Sequence, residues 1–323
     1  MDIYEEGVRM YNFAYIKFAD NREELVGDFN NIINRIKYII KKIFYIPTIK
    51  MFENKRIYIF PRNKLYNIAK TEKMIDKLAK KLDENQIDNI IICKELNKND
   101  KFKNIIYSKN LNILDGKWLY NFLLYDILIY ILMLNGLEIE NQEIHILMND
   151  TSDINLDNII KFAQICKRVN IITNNPSRFK NIENNLYDDY GITLSISNNK
   201  KKSLSKAKII LNIDFPEEII NKYIIYRKAI IVNVRDEIKI YSKAFEGINI
   251  IDYQIELNKK YKELLKKYNL YEDFENNVLY ESVIYRKDNI QNIVEQIKND
   301  DIKIINLFGK RGIIEAEEYR MCQ

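Results

Sequence analysis

The chain has 323 residues, 47% hydrophobic and 30% charged, with a formal net charge of +5 and one histidine. That is globular composition with length enough for two domains of ordinary size. Only 8 glycines and 4 prolines argue against a disordered, collagen-like or turn-rich all-β chain.

Cys93, Cys166 and Cys322 are far apart and odd in number, so neither a metal-ligand spacing nor a disulfide framework is present. A reducing cytoplasm is the expected setting. Tyr, Ile, Asn and Lys are over-used, as an AT-rich coding sequence produces, and the 23 tyrosines carry no functional weight. The opening Met1-Asp2-Ile3-Tyr4-Glu5-Glu6 is acidic without an apolar core, so no signal peptide is expected there.

Met10 to Phe18 reads as a first strand. Asn21 then looks like an N-cap with Glu24 as its capping-box partner. Leu25, Phe29, Ile32, Ile33, Ile36, Ile40 and Ile43 recur at helical spacing, predicting one long amphipathic helix closed by Pro47. Arg56 to Phe60 is a strand stopped by Pro61. Thr71 is expected to cap a helix with Ile75, Leu78, Ala79 and Leu82 on its apolar face. Asn89 to Cys93 and Leu111 to Leu114 are further strands, and strand–helix alternation predicts a parallel sheet. Lys117 to Leu134 follows as an apolar helix. Its core, from Trp118, carries Asn121 and Asp126 and is shorter than the roughly 20 residues of a bilayer span, so it is expected to be buried.

The second domain has strands at Ile144 to Met148, Val169 to Thr173, Ile192 to Ile196, Ile209 to Ile213, Ala229 to Val234 and Ile248 to Tyr253. Leu156, Ile159, Ile160, Ala163 and Cys166 mark the inward face of the first crossover helix. Pro176 and Pro216 sit where helices begin. Continuously apolar strands are those covered on both faces. Helices are then expected at Glu256 to Tyr268, Phe274 to Arg286 and Ile290 to Lys298. A last strand, Ile302 to Leu307, leads into Gly309-Lys310-Arg311-Gly312, a basic turn. The expected division is an α/β domain over 1–135, a Rossmann-like domain over 136–255, and a C-terminal part over 256–323.

The turn after the first strand of that second domain is Met148-Asn149-Asp150-Thr151-Ser152-Asp153. A dinucleotide site needs glycines here, so that backbone N–H groups approach a pyrophosphate at the helix N-terminus. There is no glycine, and Asp150, Asp153 and Asp157 would repel phosphate. A helix capped by Asp153 or Asn155 is the expected use of this turn. His145 falls inside a strand and is expected to be packed rather than catalytic.

The second strand ends in Thr173-Asn174-Asn175-Pro176-Ser177-Arg178, and the fourth in Leu211-Asn212-Ile213-Asp214-Phe215-Pro216. Over roughly residues 117–290 the pattern resembles the NAD(P)-binding Rossmann domain of the shikimate dehydrogenase, glutamyl-tRNA reductase and amino-acid dehydrogenase group. The resemblance implies a two-domain α/β chain. It implies that Asn174, Ser177 and Arg178 stand where NADP-dependent members hold the 2′-phosphate, and that Asn212 and Asp214 stand near the nicotinamide. The phosphate-loop glycines of that group are absent, and no Lys–Asp pair maps onto its catalytic residues.

Between Arg35 and Lys81 there are 14 Lys and Arg against 3 Asp and Glu. Lys200, Lys201, Lys202, Lys206 and Lys208 form a second basic cluster. Three functions follow as expectations. The first is a degenerate dehydrogenase-like scaffold for a ligand or protein partner, without dinucleotide catalysis. The second is an NAD(P)-dependent oxidoreductase with a divergent phosphate loop. The third is a binder of an anionic partner, nucleic acid or membrane surface, through the basic 35–81 region.

Overall fold

A computed structural model describes residues 13–52, 55–62, 68–216, 223–238, 240, 244–285 and 289–320. Met10 to Asn12 of the expected first strand, the helix expected after Pro216, and Arg286 lie outside the described residues. The chain folds as two compact units, Met1–Gly116 with Leu257–Asp301, and Lys117–Glu256 with Ile302–Gln323. This differs from the expected division at 135/136 and 255/256. The apolar segment after Gly116 belongs to the second unit, and the C-terminal part is shared between both.

The first unit is built on a five-stranded sheet of β1 (Phe13–Phe18), β2 (Thr48–Phe52), β3 (Lys55–Phe60), β4 (Asn89–Ile92) and β5 (Asn112–Ile113), in the order β2-β3-β1-β4-β5. All pairings are parallel except β2 with β3. Every residue of β1 is buried, as a central parallel strand requires. Helix α3 (Ile68–Asp83) buries Met74, Ile75, Leu78 and Leu82. Each such side chain contributes about 1.5–3 kcal/mol of transfer free energy. Thr71 lies inside this helix and is buried, so it is not the expected cap. Helices α4 (Lys94–Asn97) and α5 (Asp100–Ser108) follow β4.

The long helix expected from Asn21 is two helices. Asn21 Oδ1 does accept from the Glu24 amide, and Glu24 accepts from the Asp20 amide. The turn they support, α1 (Glu23–Val26), stops at Gly27, whose φ of 78° ends the helix. Helix α2 (Ile32–Phe44) starts afresh with Asn31 as its N-cap, accepting from the Ile33 amide. No residue of α2 is buried, so its apolar face is not turned into the protein. The edge strand β2 was not foreseen in the sequence.

In the second unit, Lys117 to Leu134 forms α6 (Lys117–Phe122) and α7 (Leu124–Leu134), broken at Leu123. No helix among the described residues is long and apolar enough to cross a membrane. Six parallel strands follow: β6 (Glu143–Leu147), β7 (Arg168–Ile172), β8 (Ser195–Ser197), β9 (Ile209–Asn212), β10 (Ile230–Asn233) and β11 (Ile248–Ile250). Their order is β8-β7-β6-β9-β10-β11. Counted from β6 this is third, second, first, fourth, fifth, sixth, the order of a Rossmann sheet. The fold class expected from the sequence is therefore present: α/β, with a Rossmann-like parallel sheet and a second, smaller α/β sheet.

The crossover helix α8 (Asp153–Ile165) buries Asn155, Asn158, Ile159 and Phe162; of the expected face, Ile159 and Cys166 are buried, while Leu156, Ile160 and Ala163 are half-buried. Helix α9 (Pro176–Tyr190) starts with Pro176 in its first turn, as expected. The expected last strand of the sheet ends early. The chain leaves the parallel sheet after Ile250, and β12 (Asp252–Glu256) pairs antiparallel with β13 (Lys303–Gly309). Strand β14 (Gly312–Ile313) closes this small sheet, with Lys310-Arg311 as a two-residue hairpin loop.

Candidate functional site

An open α/β sheet receives ligands outside the carboxyl ends of its strands, where consecutive connections leave in opposite directions. In the second unit that point lies between β6 and β9, because β6 connects onward to β7 on its other side. Two loops meet there, Met148 to Ser152 after β6 and Ile213 to Pro216 after β9.

Asp214 fills the junction. Its carboxylate accepts from the Asn149 amide at 2.8 and 3.0 Å and from the Asp150 amide at 2.6 Å. In a dinucleotide site, backbone N–H groups of this loop point at the pyrophosphate. Here the chain's own anion takes them. Burial pushes the Asp214 carboxyl above its ordinary range, and the Asp150 charge adds to this. The two amide donors and Arg235 oppose it without cancelling it.

The side chains of Asn149 and Asp150 in this loop are also engaged. Asn149 Oδ1 accepts from the Asn174 amide at 2.9 Å and from Thr173 Oγ1 at 3.3 Å, which ties the β6 loop to the β7 loop. Ser152 is the N-cap of α8, with no side-chain cap bond. The expected caps, Asp153 and Asn155, are not used as such. Asn155 is buried and donates to Asp150 O at 3.1 Å, and Asn121 donates to Asn155 Oδ1 at 2.7 Å.

Of the five residues expected at a cofactor, Asn174, Ser177 and Arg178 are exposed at the carboxyl end of β7 and the first turn of α9. Asn212 is fully buried. Its amide donates to Asp236 O at 2.9 Å and its Oδ1 accepts from the Phe215 amide at 3.1 Å. Asn233 and Asn249 continue this wiring, joined by a 2.8 Å bond across the ends of β10 and β11. Asn212 and Asp214 thus hold loops to strand ends, and Asn174 and Asp214 are both linked to Asn149. His145 sits buried on β6, and burial lowers its pKa against the pull of Glu143.

The first unit has its own such junction at β1, flanked by β3 and β4. Lys17, next to last in β1 and 1% exposed, is the charge there. Its ammonium meets Asp20 at 3.1 Å, Glu24 at 3.3 Å and the Asn269 carbonyl at 3.1 Å, and it also pairs with Asp273. Burial pulls the Lys17 pKa down, but the surrounding carboxylates outweigh it and leave the pKa above the usual lysine value. This Lys–Asp pair was not found in the sequence, because its partners come from β1 and from the returning segment before the helix Asn276–Ile284.

A cavity of about 410 Å³ opens beside the β13–β14 hairpin, lined by Lys310 and Arg311 together with Glu237, Glu246 and Glu318. Its mixed charges suit neither a simple anion nor a simple cation.

The fold and the two junctions define the class: a two-unit α/β chain with a Rossmann-like sheet. No protein-family model and no curated protein matches the sequence. Among solved structures the chain is similar to L-tryptophan dehydrogenase from Nostoc punctiforme, at 8% identity and a TM-score of 0.32, over 90% of this chain and 79% of that one. It is also similar to shikimate 5-dehydrogenase from Listeria monocytogenes, at 9% identity and a TM-score of 0.26, over 91% and 99%. Ornithine carbamoyltransferase from Pyrococcus furiosus follows at 10% identity and a TM-score of 0.25, over 69% and 72%. At these TM-scores the likenesses carry no argument about ligand or activity.

Proposed function

We propose that this chain is a dehydrogenase-like Rossmann scaffold that serves a ligand or protein partner without ordinary dinucleotide catalysis. The observation that carries this reading is the Asp214 carboxylate on the Asn149 and Asp150 amides. A pyrophosphate would have to displace a carboxylate already hydrogen-bonded to those donors, beside the charge of Asp150. The glycine-free loop and the Lys17 cluster at the other junction support the same reading. At both strand-end junctions the chain's own charges pair with one another or with loop amides. The free buried thiols of Cys93 and Cys166 support a cytoplasmic setting.

A second reading, an NADP-dependent oxidoreductase with a rebuilt phosphate loop, draws on one observation. Ser177 and Arg178 are exposed beside the end of β7, available to a 2′-phosphate. Thermal unfolding with and without NADPH, NADP, NADH and NAD separates the two. A cofactor at 100 times its dissociation constant stabilises by about 2.7 kcal/mol. The scaffold reading expects no shift with any of them. A shift with NADPH that Arg178→Ala removes establishes the second reading instead.

A further inference from the structure

Helix α2 is inside out. At about 3.6 residues per turn, Ile32, Ile33, Ile36, Ile39, Ile40, Ile43 and Phe44 share an arc of roughly 140°. A surface helix normally turns such an arc to the core. Here Ile32 is 71% exposed, Ile36 53%, Ile43 63% and Phe44 54%.

The opposite, polar side of α2 is the one that meets the protein. Lys41 Nζ donates to Leu25 O at 3.0 Å, and Asn34 donates to Asp28 O at 2.8 Å. Tyr38 packs edge-on against Phe29. The helix is therefore anchored through hydrogen bonds along one side, with its apolar side left to solvent. The segment that follows adds exposed Ile46, Ile49 and Met51.

The charges say what covers this face. From Phe29 to Phe52 there is no acidic residue, while Arg35, Lys37, Lys41, Lys42 and Lys50 are all basic. On the helix, Lys37 borders the apolar arc on one side, and Arg35 and Lys42 on the other. A wide apolar face between basic flanks is the arrangement of a helix lying in the interface of an anionic bilayer. A nucleic acid would use the lysines but leave seven apolar side chains in water. A second copy would bring the same basic flanks against themselves.

We propose that α2 docks this protein on an anionic membrane surface, with the isoleucine face in the acyl boundary and the basic flanks at the headgroups. The proposal concerns the first unit and does not depend on the reading of the Asp214 junction.

Co-sedimentation of the 323-residue chain with vesicles tests it. One set is phosphatidylcholine alone, the other an equimolar mixture with phosphatidylglycerol. The wild type is expected to pellet with the mixed vesicles and to be released by salt. Each lysine reversed, Lys37→Glu or Lys42→Glu, is expected to weaken binding by about fivefold or more, the worth of one basic residue at such a surface. Ile36→Glu/Ile40→Glu should abolish binding while leaving the melting temperature of the free protein unchanged, since both side chains are already exposed. The proposal is overturned if the wild type ignores both vesicle types, or if the double variant still binds. It is equally overturned if light scattering shows a dimer that the double variant converts to monomer, because a second copy then covers the face.

Discussion

Lys17 and Asp214 are single charges placed at strand ends, and each has consequences that a measurement can reach. Replacing Lys17 by Met leaves Asp20, Glu24 and Asp273 facing one another without their cation. Breaking a buried ion pair from one side costs about 3–5 kcal/mol, so urea unfolding near neutral pH should show a loss of that size. The loss should shrink on acidification. Burial already raises the Asp273 carboxyl above its ordinary value and Lys17 opposes this, so without the ammonium it rises further and protonation then favours the folded variant. In the wild type the raised Lys17 pKa gives stability that is fully present below its ordinary value of 10.5 and lost as pH climbs through the folded value. His145 works the other way. Its pKa is lowered by burial, so the unfolded chain takes a proton near pH ~6.5 that the folded chain refuses. Stability should fall as pH drops through that region, and His145→Leu should lack this part of the slope.

At the scale of elements, strand and helix order was legible in the sequence because apolar runs and Pro or Asn boundaries are local signals. Pro176 at the start of α9 and the buried strands β9 and β10 were read directly. What was not legible depended on partners distant in sequence. The periodicity of Ile32 to Ile43 gives a helix but not the direction its face points, and that direction is set by Lys41 and Asn34 bonding to the preceding turn. Strand β2 was hidden because it is an edge strand with exposed Ile49 and Met51. Asn212 was expected near a nicotinamide from the resemblance of its loop, and an asparagine after an apolar strand serves either chemistry. Its bonds to Asp236 and Phe215 make it structural. Asn212→Ala should cost about 1–3 kcal/mol through unsatisfied buried groups, measured by chemical denaturation without any ligand. Gly247 marks another tight join, since a Cβ there would collide with Ala229 O and lie 2.8 Å from Ala229 N. Gly247→Ala should therefore cost about 1–3 kcal/mol by overpacking at the β10–β11 edge.

For the whole molecule, the division into two units organises these effects. The partners of Lys17 all belong to the first unit and those of Asn212 to the second. The costs of Lys17→Met and Asn212→Ala should add in the double variant to within about 0.5 kcal/mol. A coupling well above that in a double-mutant cycle would mean that the two sites share a structural response. The candidate site was legible in outline, since the missing glycines and the acidic loop were read from the sequence. The occupant was not, because Asp214 reaches Asn149 from a loop that follows a different strand.

The most direct test of the account is the stability of wild type and Asp214→Ala as inorganic phosphate is titrated. The variant should lose about 1–3 kcal/mol, having left two amide donors unpaired, and phosphate should restore part of it by binding those donors. The wild type should not respond, because its own carboxylate already holds them. A variant as stable as the wild type, or a wild type stabilised by phosphate as much as the variant, would contradict the claim that Asp214 fills the anion position of this sheet.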